Sequence, residues 1–150
     1  ARELEGCAAV LPASSYRDWG TVVAKFDAAG LVVKRVRTVY LDGNTANDVA
    51  RVCGGSDGSA LAGSVSIFVH MMGNDGIASM NSICNAAVSE LGISQPFVAA
   101  TTNEVDDLAA ILGHAPSTAT LDSCTCCVVK PHAVKAGALG AILDQVIQQG

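Results

Sequence analysis

The chain carries one unit twice, and this repetition limits its fold more than any other feature. The better-preserved copy, residues 123–150, reads S-C-T-C-C-V-V-K-P-H-A-V-K-A-G-A-L-G-A-I-L-D-Q-V-I-Q-Q-G. Residues 124–129 form an apolar run of strand length, stopped by Pro131. Leu139, Ile142, Leu143, Val146 and Ile147 then recur at the spacing of one helical face, and a terminal glycine follows. The weaker copy has Cys7-Ala8-Ala9-Val10-Leu11 before Pro12, a helical face of Val22, Val23 and Phe26, and Gly30 as its stop. Pro12 precedes Pro131 by 119 residues, and Gly20 and Gly30 precede Gly140 and Gly150 by 120. That offset is too long for a solenoid repeat and fits a whole small domain used twice. The expected organisation is a domain over 1–112, a linker rich in Pro, Ser and Thr over 113–122, and the first strand–helix unit of a second domain over 123–150. The chain then reads as a piece of a longer polypeptide.

Between the two copies the periodicity alternates. Residues 31–41 are rich in β-branched residues, with apolar positions at 31 and 33 and then at 36, 39 and 41 around Lys34, Arg35 and Arg37. They read as a strand closed by Asp42-Gly43-Asn44, with Asn44 or Thr45 capping a short helix. In residues 64–72, Val65, Ile67, Val69 and Met71 alternate with Ser66, Phe68 and His70. A helix over 74–91, a strand over 97–101 and a helix over 103–112, capped by Thr102 or Asn103, complete the order. Strands at 6–11, 31–41, 64–72 and 97–101 and helices at 17–29, 74–91 and 103–112 are thus expected. Each helix shows one apolar face, which predicts a two-layer arrangement with the helices mainly on one side of the sheet.

Composition narrows the function classes. The formal net charge is −5, which argues against a nucleic-acid partner. No apolar run approaches the roughly 20 residues that cross a bilayer, so no membrane partner is expected. Six cysteines include Cys124-x-Cys126-Cys127, which lacks the paired knuckles of a zinc site, and no histidine pair stands at ligand spacing. Reduced, buried thiols are the expectation.

The turn Lys130-Pro131-His132-Ala133 after an apolar strand, leading to a helix that ends in glycine, resembles the start of a nucleoside diphosphate kinase domain. The eleven residues Cys-Thr-Cys-Cys-Val-Val-Lys-Pro-His-Ala-Val are most similar to the second kinase domain of the ciliary, two-kinase-domain members of that family. The resemblance implies an α+β, ferredoxin-like βαββαβ sandwich with a four-stranded antiparallel sheet in the order 4-1-3-2. It implies an activity that moves a γ-phosphate between nucleoside tri- and diphosphates through a phosphohistidine, with Mg and ATP. It also implies a setting in the cytoplasm, in the axoneme of a cilium or flagellum, with tubulin and other microtubule proteins as partners in a larger assembly.

Carried over residue by residue, the resemblance puts Lys130 on a nucleotide phosphate in the second copy. In the first copy Leu11 stands at the lysine and Ala100 at the nucleophilic histidine. The segment Gly92-Ile93-Ser94-Gln95-Pro96 is shorter than the family's nucleotide-facing loop. No catalytic residue, metal ligand or cofactor is therefore expected in the first copy, which reads as a non-catalytic structural domain. The alternative is an active kinase whose chemistry lies wholly in the second copy. His70 reads as a packed or surface histidine, His114 as a linker residue and His132 as local structure. The run Gly54-Gly55-Ser56-Asp57-Gly58-Ser59 only superficially resembles a phosphate loop, for no lysine follows it. Residues 53–63 and the cations Lys34, Arg35 and Arg37 are the expected contact surfaces.

Overall fold

Cys7, Ala8, Ala9, Val10 and Leu11 are all fully buried, so the first strand is covered on both of its faces. The fold is built outward from it. The computed structural model describes residues 4–55, 57–116 and 118–149. In order come β1 (Leu4–Leu11), a 3-10 turn (Ala13–Asp18), α1 (Trp19–Ala28), β2 (Val32–Leu41), α2 (Gly43–Val52), β3 (Ser64–Asn74), α3 (Gly76–Leu91), β4 (Phe97–Val98), α4 (Thr102–Gly113), α5 (Pro131–Lys135) and α6 (Leu139–Gln148).

The sheet runs β2-β3-β1-β4, with every neighbouring pair antiparallel. Read from the β4 edge, this is the expected 4-1-3-2 order of a ferredoxin-like α+β fold. The helices occupy both faces, not mainly one. Cys7, Ala9, Leu11, Ile67, Val69 and Met71 pack with α1, α3 and Ile147 of α6. Ala8, Val10, Phe68, Val39 and Leu41 pack with Ala46 and Val49 of α2 and Val105, Leu108 and Leu112 of α4. The two-layer expectation fails because the central strands are apolar at consecutive positions, so each face needs its own cover.

Several boundaries differ from expectation for local reasons. Asp42, not Asn44 or Thr45, caps α2, its carboxylate accepting from the Thr45 amide at 2.8 Å. Thr101, rather than Thr102 or Asn103, caps α4 by accepting from the Glu104 amide at 3.2 Å, at the head of a Thr-x-x-Glu sequence. β4 shrinks to two residues because this early helix start takes the backbone away from β1.

Residues 124–129 form no strand. They belong to no regular element, and Cys124, Cys126, Cys127 and Val128 are exposed, so these three thiols are not buried as expected. A strand exists by pairing, and these residues meet no ladder among the described residues. The following helices do form, and α6 packs along α1. The Asp27 carboxylate accepts from the Gly140 amide at 2.8 Å, and Arg17 donates to the Ile147 carbonyl at 3.1 Å. Among the described residues, no helix is long and apolar enough to cross a membrane.

Candidate functional site

Leu11 closes β1, fully buried in the core shared with α1 and α3. The turn after it is fastened by hydrogen bonds to one carbonyl. Pro12 O accepts from the Ser15 amide at 3.1 Å, from the Ser15 hydroxyl at 2.8 Å and from the Trp19 indole at 3.1 Å. The proline turn is thus kept by packing and hydrogen bonding, with an apolar side chain where the resemblance places a phosphate cation.

Ala100 is exposed, just beyond β4. The Asn81 amide of α3 holds the preceding carbonyl, donating to Ala99 O at 3.1 Å and to Ile77 O at 2.9 Å. The β1–β4 ladder pairs Ala9 with Val98 and Val10 with Phe97. Continued in that register, Leu11 faces Pro96, and Ala100 lies four positions further along, roughly 14 Å away at strand spacing. The structure does not bring Leu11 and Ala100 together.

A cleft of about 400 Å³ opens beside β4, lined by residues 53–55 after α2, Asn81, and residues 95–98. None of these side chains is charged. Its one thiol, Cys53, is pushed up to about 12 by burial and then by the nearby Glu104 carboxylate, so it stays protonated at neutral pH. The loop that continues from this wall is bound to α2. Asn47 Oδ1 accepts from the Gly58 amide at 3.2 Å, and Leu61 is fully buried. Asp57 accepts from the Ser59 amide at 2.9 Å, which together with the Ser59 hydroxyl lowers its carboxyl below the ordinary range. A fixed carboxylate at this place opposes phosphate binding; Ser56 lies outside the described residues.

The basic stretch of β2 has a partner within the molecule. Arg37 donates to the carbonyls of Leu112 at 3.1 Å, Gly113 at 2.7 Å and Ala115 at 2.9 Å, and Arg35 reaches Gly113 O at 3.3 Å. These are carbonyls at and just after the C-terminus of α4, where the helix dipole favours cations. Lys34 carries no such bond. No sequence periodicity indicated that two of the three cations cap a helix 75 residues away.

His70 is 9% exposed, on the α4 side of β3. Desolvation, followed by the Lys34 charge, lowers its pKa below the ordinary 6.5, against an opposing pull from Asp106. His114 and His132 are exposed, at the end of α4 and in α5, and Lys130 is exposed just before α5. Among the described residues, no three His, Cys, Asp or Glu side chains converge to hold a metal ion. No family model matches the chain, and no curated protein is similar enough to match it.

Proposed function

We propose that this chain is a non-catalytic, nucleoside diphosphate kinase-like domain, serving as a structural element of an axonemal microtubule-associated protein. The observation that carries the reading is the cleft beside β4, whose described lining holds no charged side chain. A nucleoside triphosphate needs cations at the oxygens where charge develops, and removing one such contact costs several kcal/mol of transition-state stabilisation, as an order of magnitude. Leu11 supports the same reading, for its side chain belongs to the core and not to a site. The ferredoxin-like sandwich keeps its packing and its turns without the chemistry, which suits a rigid spacer between other proteins.

The exposed face of such a spacer meets its partners through Lys34 and residues 53–63. Microtubules present an acidic surface, and a cation on an otherwise acidic chain gives a contact that weakens as salt rises. Co-sedimentation with polymerised tubulin, run beside a phosphotransfer assay with ATP and a nucleoside diphosphate, tests the proposal. Salt-sensitive pelleting without transfer is the expected result. Transfer by this chain, or absence from the pellet at low salt, would overturn it.

A second reading, an active kinase working through the second copy, rests on Lys130, exposed where the chain enters α5. It requires that transfer be detected and that Lys130→Gln abolish it.

A further inference from the structure

β2 contains a β-bulge whose position has a chemical consequence. The β2–β3 ladder pairs Val33 with Met71 and then Arg35 with His70, leaving Lys34 unmatched. Without the extra residue, Lys34 and Arg35 would point to opposite faces of the sheet. With it, both stand opposite the single residue His70, for a bulge sets two residues against one and re-aims their side chains. All three line a cleft of about 300 Å³, floored by Phe68 and bounded by Ala109 of α4.

The groups in this cleft are short of partners. Neither the Lys34 ammonium nor the His70 imidazole makes a hydrogen bond or ion pair with any described residue, and the Arg35 guanidinium gives only one long bond, to Gly113 O. The Nε2 edge of the His70 imidazole lies beside Gly6 of β1, where an added β-carbon would meet it at 3.6 Å, an ordinary contact. The charged groups acting on His70 are Lys34 and Arg35 from β2 and Asp106 from α4. Its β1 neighbours Gly6 and Ala8 bring no charge. Two cations against one carboxylate leave the cleft positive, inside a chain of net charge −5.

We propose that the cleft between Lys34, Arg35 and His70 binds a small, doubly charged oxyanion, a phosphate or a soluble phosphate monoester. Ammonium and guanidinium donate charge-assisted bonds to such oxygens. The imidazole supplies a third donor once it takes up a proton, which a bound dianion favours. The volume lies at the small end of ligand sites, suiting a compact molecule on the apolar floor of Phe68 and Ala109. This site shares no lining residue with the cleft beside β4, and it shares only Lys34 with the partner surface proposed above.

The test follows the His70 imidazole by NMR in the full chain while sulfate, inorganic phosphate and ethyl phosphate are added. Sulfate does not titrate between about pH 5 and 8, so any pH dependence of its binding reports the protein. A saturable shift of the His70 signals is expected, with a dissociation constant of about 1 mM or tighter. Sulfate should bind more tightly as pH falls through the His70 transition, and that transition should move up in its presence. Lys34→Gln should weaken binding about tenfold, the loss of one charge-assisted bond. Ala109→Leu, which fills the cleft and keeps every charge, should abolish it. No saturable shift, or unchanged titrations in both variants, overturns the proposal. A phosphoserine peptide binding more than about tenfold tighter than ethyl phosphate overturns the small-molecule assignment.

Discussion

Gly140 of α6 lies against Ala24 of α1 so closely that a β-carbon on the glycine would fall 2.6 Å from the neighbouring Val23 carbonyl carbon. The same contact occurs a second time: a β-carbon on Gly20 would stand 2.5 Å from Asp144 Cβ. Adding 120 to Gly20 and Ala24 gives Gly140 and Asp144, and the same offset relates the bounds of α1 to those of α6. Each helix therefore presents the same position to the same position of its counterpart. That is the reciprocity of a two-fold interface, here formed within one chain.

The first prediction follows from the sign of a substitution. Replacing glycine by alanine inside a helix ordinarily stabilises it by about 1 kcal/mol. At Gly20 and Gly140 the added methyl group meets backbone, and overpacking of this kind costs about 1–3 kcal/mol. Gly20→Ala and Gly140→Ala should each lower stability in denaturant unfolding, with Ala141→Ser on the exposed side of α6 as a near-neutral control. A gain in stability at either glycine would show that the helices do not meet there.

Arg37 gives the second. Its guanidinium holds three carbonyls at the end of α4 while partly buried. Arg37→Met keeps the stem and removes the bonds, and should cost about 2 kcal/mol in thermal or denaturant unfolding. Lys34→Gln, at an exposed position without such bonds, should change stability by under about 0.5 kcal/mol. Equal effects at the two sites would contradict the helix-end role.

The third concerns thiols. Burial pushes Cys7 and Cys84 up to about 12, and Cys53 likewise, whereas Cys124, Cys126 and Cys127 are exposed. Only a thiolate attacks a disulfide reagent. In the native protein the three exposed thiols should react fast with an aromatic disulfide, and the other three only on unfolding. Fast release from all six would mean that the β1 core is open.

What was legible in the sequence was whatever depends on local pattern. Alternation in residues 64–72, glycine stops and proline breaks placed the four strands and their helices, and the family resemblance supplied the sheet order. The two-sided burial of β1 was not legible, because Cys7 to Leu11 is a plain apolar run that fits one covered face or two. Long-range caps were equally hidden. Glu5 accepts from the Ile77 amide at the start of α3 across 72 residues, and Asp27 does the same for α6 across 113. In the His70 cleft, the slip of apolar spacing from 33 to 36 was visible, but the bulge it encodes appears only against β3. Residues 124–129 misled because strand propensity does not supply a partner.

His70 sets the fourth prediction. Its folded pKa lies below the ordinary 6.5, so the unfolded chain takes up its proton first as pH falls. Stability should then be full above about pH 6.5, decline as pH drops through the interval below it, and level off under the folded value. Asp42 and Asp57, whose carboxyls are held down by hydrogen bonds, add a separate loss only below their ordinary 3.8. Denaturant midpoints measured across this range in His70→Gln should lose the upper decline and keep the lower one. An unchanged upper decline would assign it to another group.

The last prediction concerns restoring the two residues that the resemblance finds missing. Leu11→Lys puts an ammonium into a fully buried position among Trp19, Ile67 and the other members of that core, without a partner for its charge. The cost should be about 3 kcal/mol or more, because an unpaired buried charge is among the most damaging single changes. Ala100→His, at an exposed position, should fold normally. Combining them should not produce a phosphohistidine, since the Leu11 side chain is enclosed in the core shared with α1 and α3, where a lysine cannot meet a phosphate held at the exposed Ala100. Incubation of the double variant with γ-labelled ATP, followed by detection of acid-labile label, reads this directly, and calorimetry should show no micromolar ATP binding. Label on the Ala100→His variant that depends on Leu11→Lys would mean that the two positions meet and that the β4 cleft is a nucleotide site lacking only these side chains.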